Sequence, residues 1–363
     1  MRFIGREWLL LALAGVLCAP AVGQSYTITE IGVLKGDNES NGFWLNASGA
    51  VVGCSDTANG EGYPCTGTTA GQHGFYWTKS GGLEDLGTLP GGNISGAIGL
   101  NDAGEVVGYS NTSTKAADLY NFVAFDRMPT GEIKNLGTLA SGDSSCAFSV
   151  NSSGEIAGDS FENSTVVDAV RWSETGKIKN LGALHRAIFT AGLGINESGE
   201  IVGESVFEYS PTFTSHAFKW ISGEGKTDLG TLSGGDTSIA NAINSSGVVV
   251  GQSNSGSIET WHAVKWNAND KIKDLGVLAG GTYSVAFGIN DSSDIVGYGN
   301  VADNSPHAFL WTASQGMQDL NDLIAADSGW VLINANAINA SGQITGYGTK
   351  NGRNRAFLLT PKN

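Results

Sequence analysis

The segment Ile195-Asn196-Glu197-Ser198-Gly199-Glu200-Ile201-Val202-Gly203 decides the fold, because variants of this nine-residue phrase occur seven times along the chain. Every copy has an asparagine near its start and a glycine seven residues after it. The asparagines are Asn46, Asn101, Asn151, Asn196, Asn244, Asn290 and Asn339, and the closing glycines are Gly53, Gly108, Gly158, Gly203, Gly251, Gly297 and Gly346. A recurrence of this kind indicates a repeat architecture, in which each copy builds the same local structure.

Each repeat contains four strand-like runs, which we name A, B, C and D in chain order. In the repeat from Thr190 to Gly230 they are expected at residues 190–195, 200–204, 216–220 and 226–230. Run B alternates apolar and polar residues with the period of a β-strand. Between runs A and B, the sequence from Asn196 to Gly199 predicts a tight turn that the asparagine side chain caps and in which the glycine takes a positive φ.

Run A carries a small residue four positions before each asparagine, namely Gly42, Ala97, Ala147, Gly192, Ala240, Ala286 and Ala335. This restriction indicates a crowded strand, as on the inner side of a β-propeller where the blades converge. One of the seven repeats is divided between the two ends of the chain. Residues Tyr26 to Gly32 match run D with no A, B or C before them, and residues Arg355 to Leu359 match run C with no D after them.

A repeat divided between both ends of a chain is typical of a ring. We therefore predict an all-β fold, a seven-bladed β-propeller of four-stranded antiparallel blades, closed by the N-terminal strand that completes the last blade. A solenoid or a sandwich is the alternative. An open solenoid needs polar caps at both ends, and the sequence shows none.

Residues 1–23 have the features of a secretory signal peptide. Arg2 and Arg6 give a positive start, and the apolar run from Trp8 to Leu17 is followed by small residues before Gln24. The apolar run is too short to cross the roughly 30 Å hydrocarbon layer of a membrane, so we expect no membrane insertion. The prediction is a secreted or periplasmic protein with a single propeller domain at residues 24–363.

Export would place the cysteines in an oxidising compartment. Cys54 and Cys65 lie in one loop, and we expect them to form a disulfide bond. Cys146 lies in run A of the third repeat, where a small buried hydrophobic residue is favoured over a reactive thiol.

The acidic charge argues against two classes of partner. The net charge is −15 at pH 7, and removal of Arg2, Arg6 and Glu7 with the signal peptide makes it −16. Phosphate binding needs clustered lysine and arginine, so we expect no nucleic acid and no anionic membrane surface as partner.

Three recurring motifs resemble a known family. The His216-Ala217-Phe218 phrase, the Asp-Leu-Gly-x-Leu-x-Gly-Gly phrase from Asp85 to Gly92 and the Asn-x-x-Gly turn are similar to the motifs of the extracellular HAF-repeat family. The resemblance covers nearly the whole mature chain and implies a secreted bacterial protein, but it supplies no catalytic residues. Arg127, where run C usually has tryptophan, and Leu184 to Ala187, which replace Leu-x-Gly-Gly, depart from the pattern.

Long and variable segments lie on one face of the predicted propeller, because the B–C loops and the D–A crossings share one end of the blades. Binding residues are commonly carried by loops on a rigid scaffold. We expect a ligand site on this B–C face, with Phe207, Tyr209, His185, Arg186 and Trp330 as candidate residues. The alternative is that these loops are tolerated insertions without a function.

Aspartates recur at similar places in the D–A crossings, as Asp37, Asp143 and Asp236. Their carboxylates suit Ca²⁺, although the spacing matches no calcium loop and turn chemistry explains these residues equally well. Calcium stays an open alternative, and we expect no other cofactor.

Four histidines recur at one position of run C, namely His73, His216, His262 and His307. One active site does not need four copies of a residue. We therefore predict hydrogen bonds between strands for these histidines rather than catalysis.

The sequence favours a binding protein for a glycan or an extracellular protein over an enzyme, and we expect a monomer. No Ser-His-Asp spacing or zinc-ligand cluster stands out, so no catalytic residue is predicted. A polysaccharide hydrolase or lyase on the propeller scaffold is one alternative, for which the acidic residues are too numerous to select a catalytic pair. A structural protein of the cell envelope is another.

Overall fold

The computed structural model describes residues 25–56, 71–114, 121–162, 166–184, 187–208, 214–256 and 261–362. Within these residues the fold is all-β, with a single short 3-10 helix at Leu320–Leu323. Among them no helix is long and apolar enough to span a membrane. The predicted signal peptide at residues 1–23 lies outside the described part of the chain.

The strands follow the repeats, and we group them into units I to VII. The N-terminal strand is Tyr26–Gly32 (β1). Unit I has Glu39–Leu45 (β2), Val51–Asp56 (β3), His73–Thr78 (β4) and Gly82–Gly87 (β5), and unit II has Ser95–Leu100 (β6), Val106–Asn111 (β7), Phe122–Arg127 (β8) and Ile133–Asn135 (β9). Unit III has Ser145–Val150 (β10), Ile156–Phe161 (β11), Val167–Trp172 (β12) and Ile178–Asn180 (β13), and unit IV has Phe189–Ile195 (β14), Ile201–Glu208 (β15), Thr214–Ile221 (β16) and Gly225–Asp228 (β17).

The remaining strands complete the same pattern. Unit V has Ser238–Ile243 (β18), Val249–Asn254 (β19), Trp261–Trp266 (β20) and Ile272–Asp274 (β21), and unit VI has Ser284–Ile289 (β22), Ile295–Asn300 (β23), Pro306–Thr312 (β24) and Gly316–Asp319 (β25). Unit VII has Trp330–Ile338 (β26), Ile344–Lys350 (β27) and Arg353–Pro361 (β28). In unit IV the four strands match the predicted runs to within a few residues, which confirms the assignment of runs A to D.

The strands form five separate four-stranded sheets and one eight-stranded sheet. The eight-stranded sheet contains units III and IV, which are joined by a single parallel pair between Val167 and Phe189. The propeller-like arrangement of four-stranded antiparallel sheets is thus confirmed. The number of separate four-stranded sheets is five rather than seven, because this pair makes two consecutive units continuous.

The N-terminal strand lies beside the C-terminal strand. Strand β1 pairs with β28 in the antiparallel sense, with Tyr26 opposite Pro361 and Ile28 opposite Leu359. The sheet that contains the end of the chain therefore has the order β1-β28-β27-β26.

A close approach of two backbones explains the closing glycine of each repeat. Gly203 in β15 lies opposite Gly192 in β14, and a Cβ atom on Gly203 would be 1.8 Å from the carbonyl oxygen of Ala191. At the other six closing glycines the same distance is 1.9 or 2.0 Å. Directly after the small residue of run A, every inner strand has a register shift, so that one residue bulges out of the pairing.

Seven hydrophobic clusters join successive units face to face. In one of them, Ala157 and Ala169 of unit III pack with Ile201 and Phe218 of unit IV. The last unit is joined to the first in the same way, because Leu358 belongs to one cluster with Val51 and Phe75. The hydrophobic core is thus divided into equivalent interfaces between sheets, as in propellers.

Candidate functional site

The repeated asparagines connect neighbouring units by hydrogen bonds. Asn196 Oδ1 accepts from the N–H groups of Ser198 and Glu200 at 3.1 and 3.0 Å, and Asn196 Nδ2 donates to the carbonyl oxygen of Asn244 at 3.3 Å. Equivalent bonds to the next unit start from all seven asparagines, which form a closed cycle. The predicted capping of the A–B turn is confirmed, and the glycine at its end, Gly199, has a φ of +74°.

This cycle surrounds a cavity at the end of the propeller that carries the A–B turns. The cavity has a volume of about 210 Å³ and is lined by residues of all seven units. We call it the axial cavity. Its wall contains the aliphatic residue before each asparagine, such as Ile195 and Ile243, and the residue after six of the seven asparagines, including Asp102, Glu197 and Asp291.

Away from the A–B turns, a second set of equivalent residues lies on run B beside the inner strand. These are the residues directly after the closing glycines, and we call them together the inner wall. The seven inner-wall residues are Cys54, Tyr109, Asp159, Glu204, Gln252, Tyr298 and Tyr347. Each lies opposite a residue of run A, as Asp159 lies opposite Cys146 and Glu204 opposite Ala191. The ring of Tyr109 covers the inner strand, because a Cβ atom on Gly96 would be 2.7 Å from Tyr109 Cζ.

Two carboxyl groups stand next to each other on the inner wall. Burial raises the pKa of Asp159 to about 7, and the nearby Glu204 raises it further. Burial also raises the pKa of Glu204 to about 7. Both residues keep some exposed surface, and Glu204 Oε2 has no hydrogen-bond partner among the described residues. At neutral pH this pair therefore exists as a mixture of acid and carboxylate.

The inner wall also carries aromatic residues: Tyr109 precedes the acidic pair, and Tyr298 follows it after Gln252. Burial raises the pKa of Tyr109 to about 12, and its hydroxyl accepts a hydrogen bond from Gln72 Nε2 at 2.8 Å. In unit VI, Tyr298 stacks on Phe287 with ring centroids 5.8 Å apart and lies edge-on to Tyr283 at 5.9 Å. The wall therefore combines carboxyl groups with flat apolar surfaces.

The candidate ligand residues predicted from the sequence occupy different places. Phe207 lies in β15 and packs edge-on against His216, with ring centroids 5.4 Å apart. Trp330 is only 8% exposed and packs against Phe357, so it lies in the core rather than on a loop surface. Tyr209, His185 and Arg186 lie outside the described residues.

The three aspartates predicted for calcium are not brought together. Asp37 borders a surface cavity with Lys35 and His73, and burial raises its pKa. Asp143 is exposed, and Asp236 accepts hydrogen bonds from Asn254 and Thr237, which lower its pKa. In the described parts of the chain, no group of three or more His, Cys, Asp or Glu residues could hold a metal ion.

The cysteines are described only in part. Cys54 is fully buried in β3, but Cys65 lies outside the described residues, so their disulfide bond stays a prediction. Cys146 is a free cysteine. Burial raises the pKa of its thiol well above the usual value, which agrees with an unreactive side chain.

The four repeated histidines form hydrogen bonds between runs C and D, as predicted. His216 Nδ1 lies 2.7 Å from Asp228 Oδ2, and His73, His262 and His307 make the same contact with Asp85, Asp274 and Asp319. In unit III the same place holds Asp168 and Asn180, whose side chains are 2.7 Å apart. A side-chain hydrogen bond between runs C and D thus recurs in these units, and histidine is one of the residue types that form it.

Sequence reasoning missed the inner wall and the axial cavity for different reasons. The inner-wall position holds five different residue types in the seven repeats, so no motif marks it, although its fixed place after the closing glycine could be read from the sequence. The axial cavity lies at the end with short, constant turns. A signal existed there too, because Asp102, Glu197 and Asp291 follow repeated asparagines.

Comparison with known proteins identifies the fold more clearly than the function. A family model described as a protein of unknown function, DUF3466, matches residues 184–355. No curated protein matches the chain.

Solved structures with similar folds include a mutant of puromycin hydrolase complexed with PGG. It has a TM-score of 0.53 and 11% identity over 87% of this chain and 53% of that chain. Another structure of puromycin hydrolase has a TM-score of 0.51 and 10% identity over 90% of this chain and 54% of that chain. TolB from Acinetobacter baumannii has a TM-score of 0.42 and 14% identity over 81% of this chain and 77% of that chain. The chain spans about half the length of the two hydrolase chains, and the likeness shows a β-propeller fold.

Proposed function

We propose that this chain is an exported, closed seven-bladed propeller that binds a glycan at the inner wall, on its B–C face. The site consists of Asp159 and Glu204 with the aromatic residues Tyr109 and Tyr298, which keep part of their surface exposed. The proposal keeps the predicted binding face but moves the binding residues from the loops to the inner wall. An extracellular protein is the other ligand class.

One observation carries the proposal. In a sevenfold repeat, positions that serve the fold hold the same kind of residue in every unit, as the asparagine and the closing glycine do. The inner-wall position lies directly after that glycine, yet it holds cysteine, tyrosine, aspartate, glutamate or glutamine. Variation at a structurally equivalent position, with polar groups that are partly buried, is the pattern expected of ligand recognition rather than of packing.

The chemistry of the wall favours a carbohydrate. Carboxyl groups accept or donate hydrogen bonds to hydroxyl groups according to their protonation, and the pKa values of Asp159 and Glu204, both about 7, make both forms available at neutral pH. Flat aromatic rings such as Tyr298 and Phe287 offer an apolar face with a polar tip. Sugars present the complementary arrangement of hydroxyl edges and apolar ring faces.

The closed arrangement of seven blades is also part of the proposal. We take units III and IV as two blades, since they share only the pair between Val167 and Phe189, and β1 as the strand that completes the last blade, since it pairs along β28. The signal-peptide features of residues 1–23 and the resemblance to the HAF-repeat family support export to the periplasm or the cell exterior, with removal of these residues.

A second candidate function is glycan cleavage, favoured by the same acidic pair. General acid–base catalysis works best with groups whose pKa lies near the working pH, and glycosidases use two carboxyl groups. Here Asp159 and Glu204 would share these roles. None of the contacts described at the inner wall favours a structural role in the cell envelope.

Affinity electrophoresis tests the binding proposal. The mature protein is run in native gels that contain soluble starch, xylan, laminarin or carboxymethylcellulose. We expect at least one polymer to retard the wild type, and the Asp159→Asn/Glu204→Gln variant to lose most of that retardation. Release of reducing ends from the retarding polymer, measured in parallel, separates binding from cleavage.

The matched control is Asp303→Asn, which removes an exposed carboxylate at the same end of the propeller and keeps an acceptor for Ser305. Equal loss of retardation in both variants would mean that net charge, not the inner wall, causes binding. Retardation that survives in the double variant would place the glycan elsewhere and reject the proposal.

A further inference from the structure

The axial cavity has features that the fold alone does not require. It lies at the end opposite to the inner wall's B–C face and is lined by residues of all seven units. Its volume of about 210 Å³ is below the range of about 300–1,000 Å³ that is usual for drug-sized ligands. It is large enough for a small organic group and too small for a polysaccharide.

Trp44 breaks the sevenfold pattern inside this cavity. The position two residues before the repeated asparagine is small in the other six units, where it holds Gly99, Ser149, Gly194, Ala242, Gly288 and Ala337. In unit I it holds Trp44, which lines the cavity and keeps part of its surface exposed. Tryptophan is the best aromatic partner for a cation placed over its face.

Three carboxylates stand at the rim of the same cavity, held by the neighbouring unit. Asp102 accepts from the N–H of Ala47 at 2.8 Å, Glu197 from the N–H of Ser152 at 3.1 Å, and Asp291 from the N–H of Ser245 at 3.0 Å. These donors are neutral, so they fix the carboxylates without cancelling their charge. The residues that line the cavity include no lysine, arginine or histidine.

We infer that the axial cavity binds a small organic ammonium ion, with Trp44 against the cation and Asp102, Glu197 and Asp291 around it. The aliphatic residues before the asparagines, such as Ile195 and Ile243, provide contact for the alkyl part. An aromatic face and a negative rim around an apolar wall favour an alkylated ammonium group over a hydrated metal ion, since alkyl groups gain from the apolar contact. The inference is independent of the glycan site.

Titration calorimetry with choline tests this inference, with 3,3-dimethyl-1-butanol as an uncharged molecule of the same shape. We expect choline to bind and its uncharged counterpart to bind at least tenfold more weakly. Trp44→Leu should weaken choline binding by about 5- to 30-fold, as expected for loss of a cation–π contact. Raised salt should weaken binding as well, because the three rim residues are exposed to solvent and their charges are screened by ions.

Asp291→Asn provides a variant that does not disturb the core, since an amide oxygen still accepts from Ser245. It should weaken choline binding several-fold while the melting temperature stays near that of the wild type. Glu132→Gln removes an exposed charge from a C–D turn at the same end and should change binding less than twofold. Equal binding of the uncharged molecule, or unchanged choline binding in both cavity variants, would overturn the inference, as would absence of choline binding to the wild type.

Discussion

The side-chain amide of Asn339 donates a hydrogen bond to the carbonyl oxygen of Asn46 at 3.0 Å, although 293 residues separate them in the chain. The six other repeated asparagines make the same bond to the next unit along the sequence. The bond between the last unit and the first is therefore equivalent to the internal ones. Each asparagine serves its own turn and its neighbour at once, which explains why the sequence repeats it.

The first prediction concerns this asparagine cycle. Asn196→Ala and Asn339→Ala should each lower the free energy of unfolding by about 2–4 kcal/mol, because each removes two turn contacts and leaves a buried carbonyl without its donor. Urea denaturation of both variants measures the effect. Similar losses for the two are expected, since the bond that closes the cycle has the same partners as an internal one.

Asn267→Ala is the matched control for that comparison. Asn267 caps an exposed C–D turn through its side chain, accepting from Asn269 and Lys271, and no bond to another unit is recorded for it among the described residues. Its loss should cost about 1 kcal/mol, as for a simple cap. A much smaller effect of Asn339→Ala than of Asn196→Ala would mean that the last and first units are not joined in solution.

The second prediction concerns the closing glycine. Gly203→Ala should lower the free energy of unfolding by roughly 3 kcal/mol or more, because the new Cβ atom would lie 1.8 Å from the carbonyl oxygen of Ala191. Gly223→Ala is the control, since Gly223 has a φ of +88° but no atom within 4 Å of an added Cβ. It should cost about 1 kcal/mol from backbone strain alone. Equal losses would refute the close approach at Gly203.

The third prediction concerns the pH dependence that Asp159 confers. Its pKa is raised to about 7 in the folded protein, so between about pH 4 and pH 7 the folded state binds more protons than the unfolded state. Wild-type stability should therefore fall as pH rises through this window. Asp159→Asn removes the ionisation and should be more stable than the wild type at pH 8, by on the order of 2 kcal/mol.

Urea denaturation at pH 5 and pH 8 measures this difference. The advantage of Asp159→Asn should be smaller at pH 5, where the wild-type carboxyl group is mostly protonated. Asp303→Asn should gain nothing at pH 8, because hydrogen bonds from Ser305 lower the pKa of Asp303 instead of raising it. An Asp159→Asn variant that is less stable than the wild type at pH 8 would show that the carboxylate is well solvated or paired.

The fourth prediction concerns the His216–Asp228 contact. The hydrogen bond to Asp228 raises the pKa of His216, so the stabilisation is fully present below the unfolded pKa of about 6.5 and disappears as pH rises through the folded pKa. Asp228→Asn should lower the melting temperature more at pH 6 than at pH 9, with a cost below about 1 kcal/mol for this partly exposed pair. Asn180→Ala, at the equivalent place without histidine, should show no such pH difference. A pH-independent loss in Asp228→Asn would mean that the proton on His216 does not matter.

Much of the fold could be predicted because the repeat fixes local structure. Asn196 with Gly199 predicted the turn, and the small residue Gly192 predicted a crowded inner strand. The structure explains the crowding by the bulge after Gly192 and by the close approach of the backbone at Gly203. The link between units III and IV could not be predicted. It depends on one backbone pair, between Val167 and Phe189, and pairing of this kind leaves no mark on the side-chain pattern.

The site was harder to predict than the fold, for a physical reason. Repetition makes structural residues conspicuous and hides residues that occur once, such as Trp44 and Glu204. Trp330 was misleading in the opposite way, because we expected it in a ligand site on the B–C face and yet it packs on Phe357. The 3-10 helix before it has Leu320 and Leu323 buried in the same hydrophobic cluster as Trp330.

The measurement that tests the central claim most directly is the change in melting temperature that soluble polysaccharides cause in three proteins. These are the mature wild type, Asp159→Asn/Glu204→Gln and Trp44→Leu. A ligand that binds only the folded state raises its stability by about 2.7 kcal/mol at a hundredfold excess over Kd. We predict a polysaccharide-induced increase in the wild type and in Trp44→Leu and none in the double variant. An equal increase in all three proteins, or no increase in the wild type with any polymer, would contradict a glycan site at the inner wall.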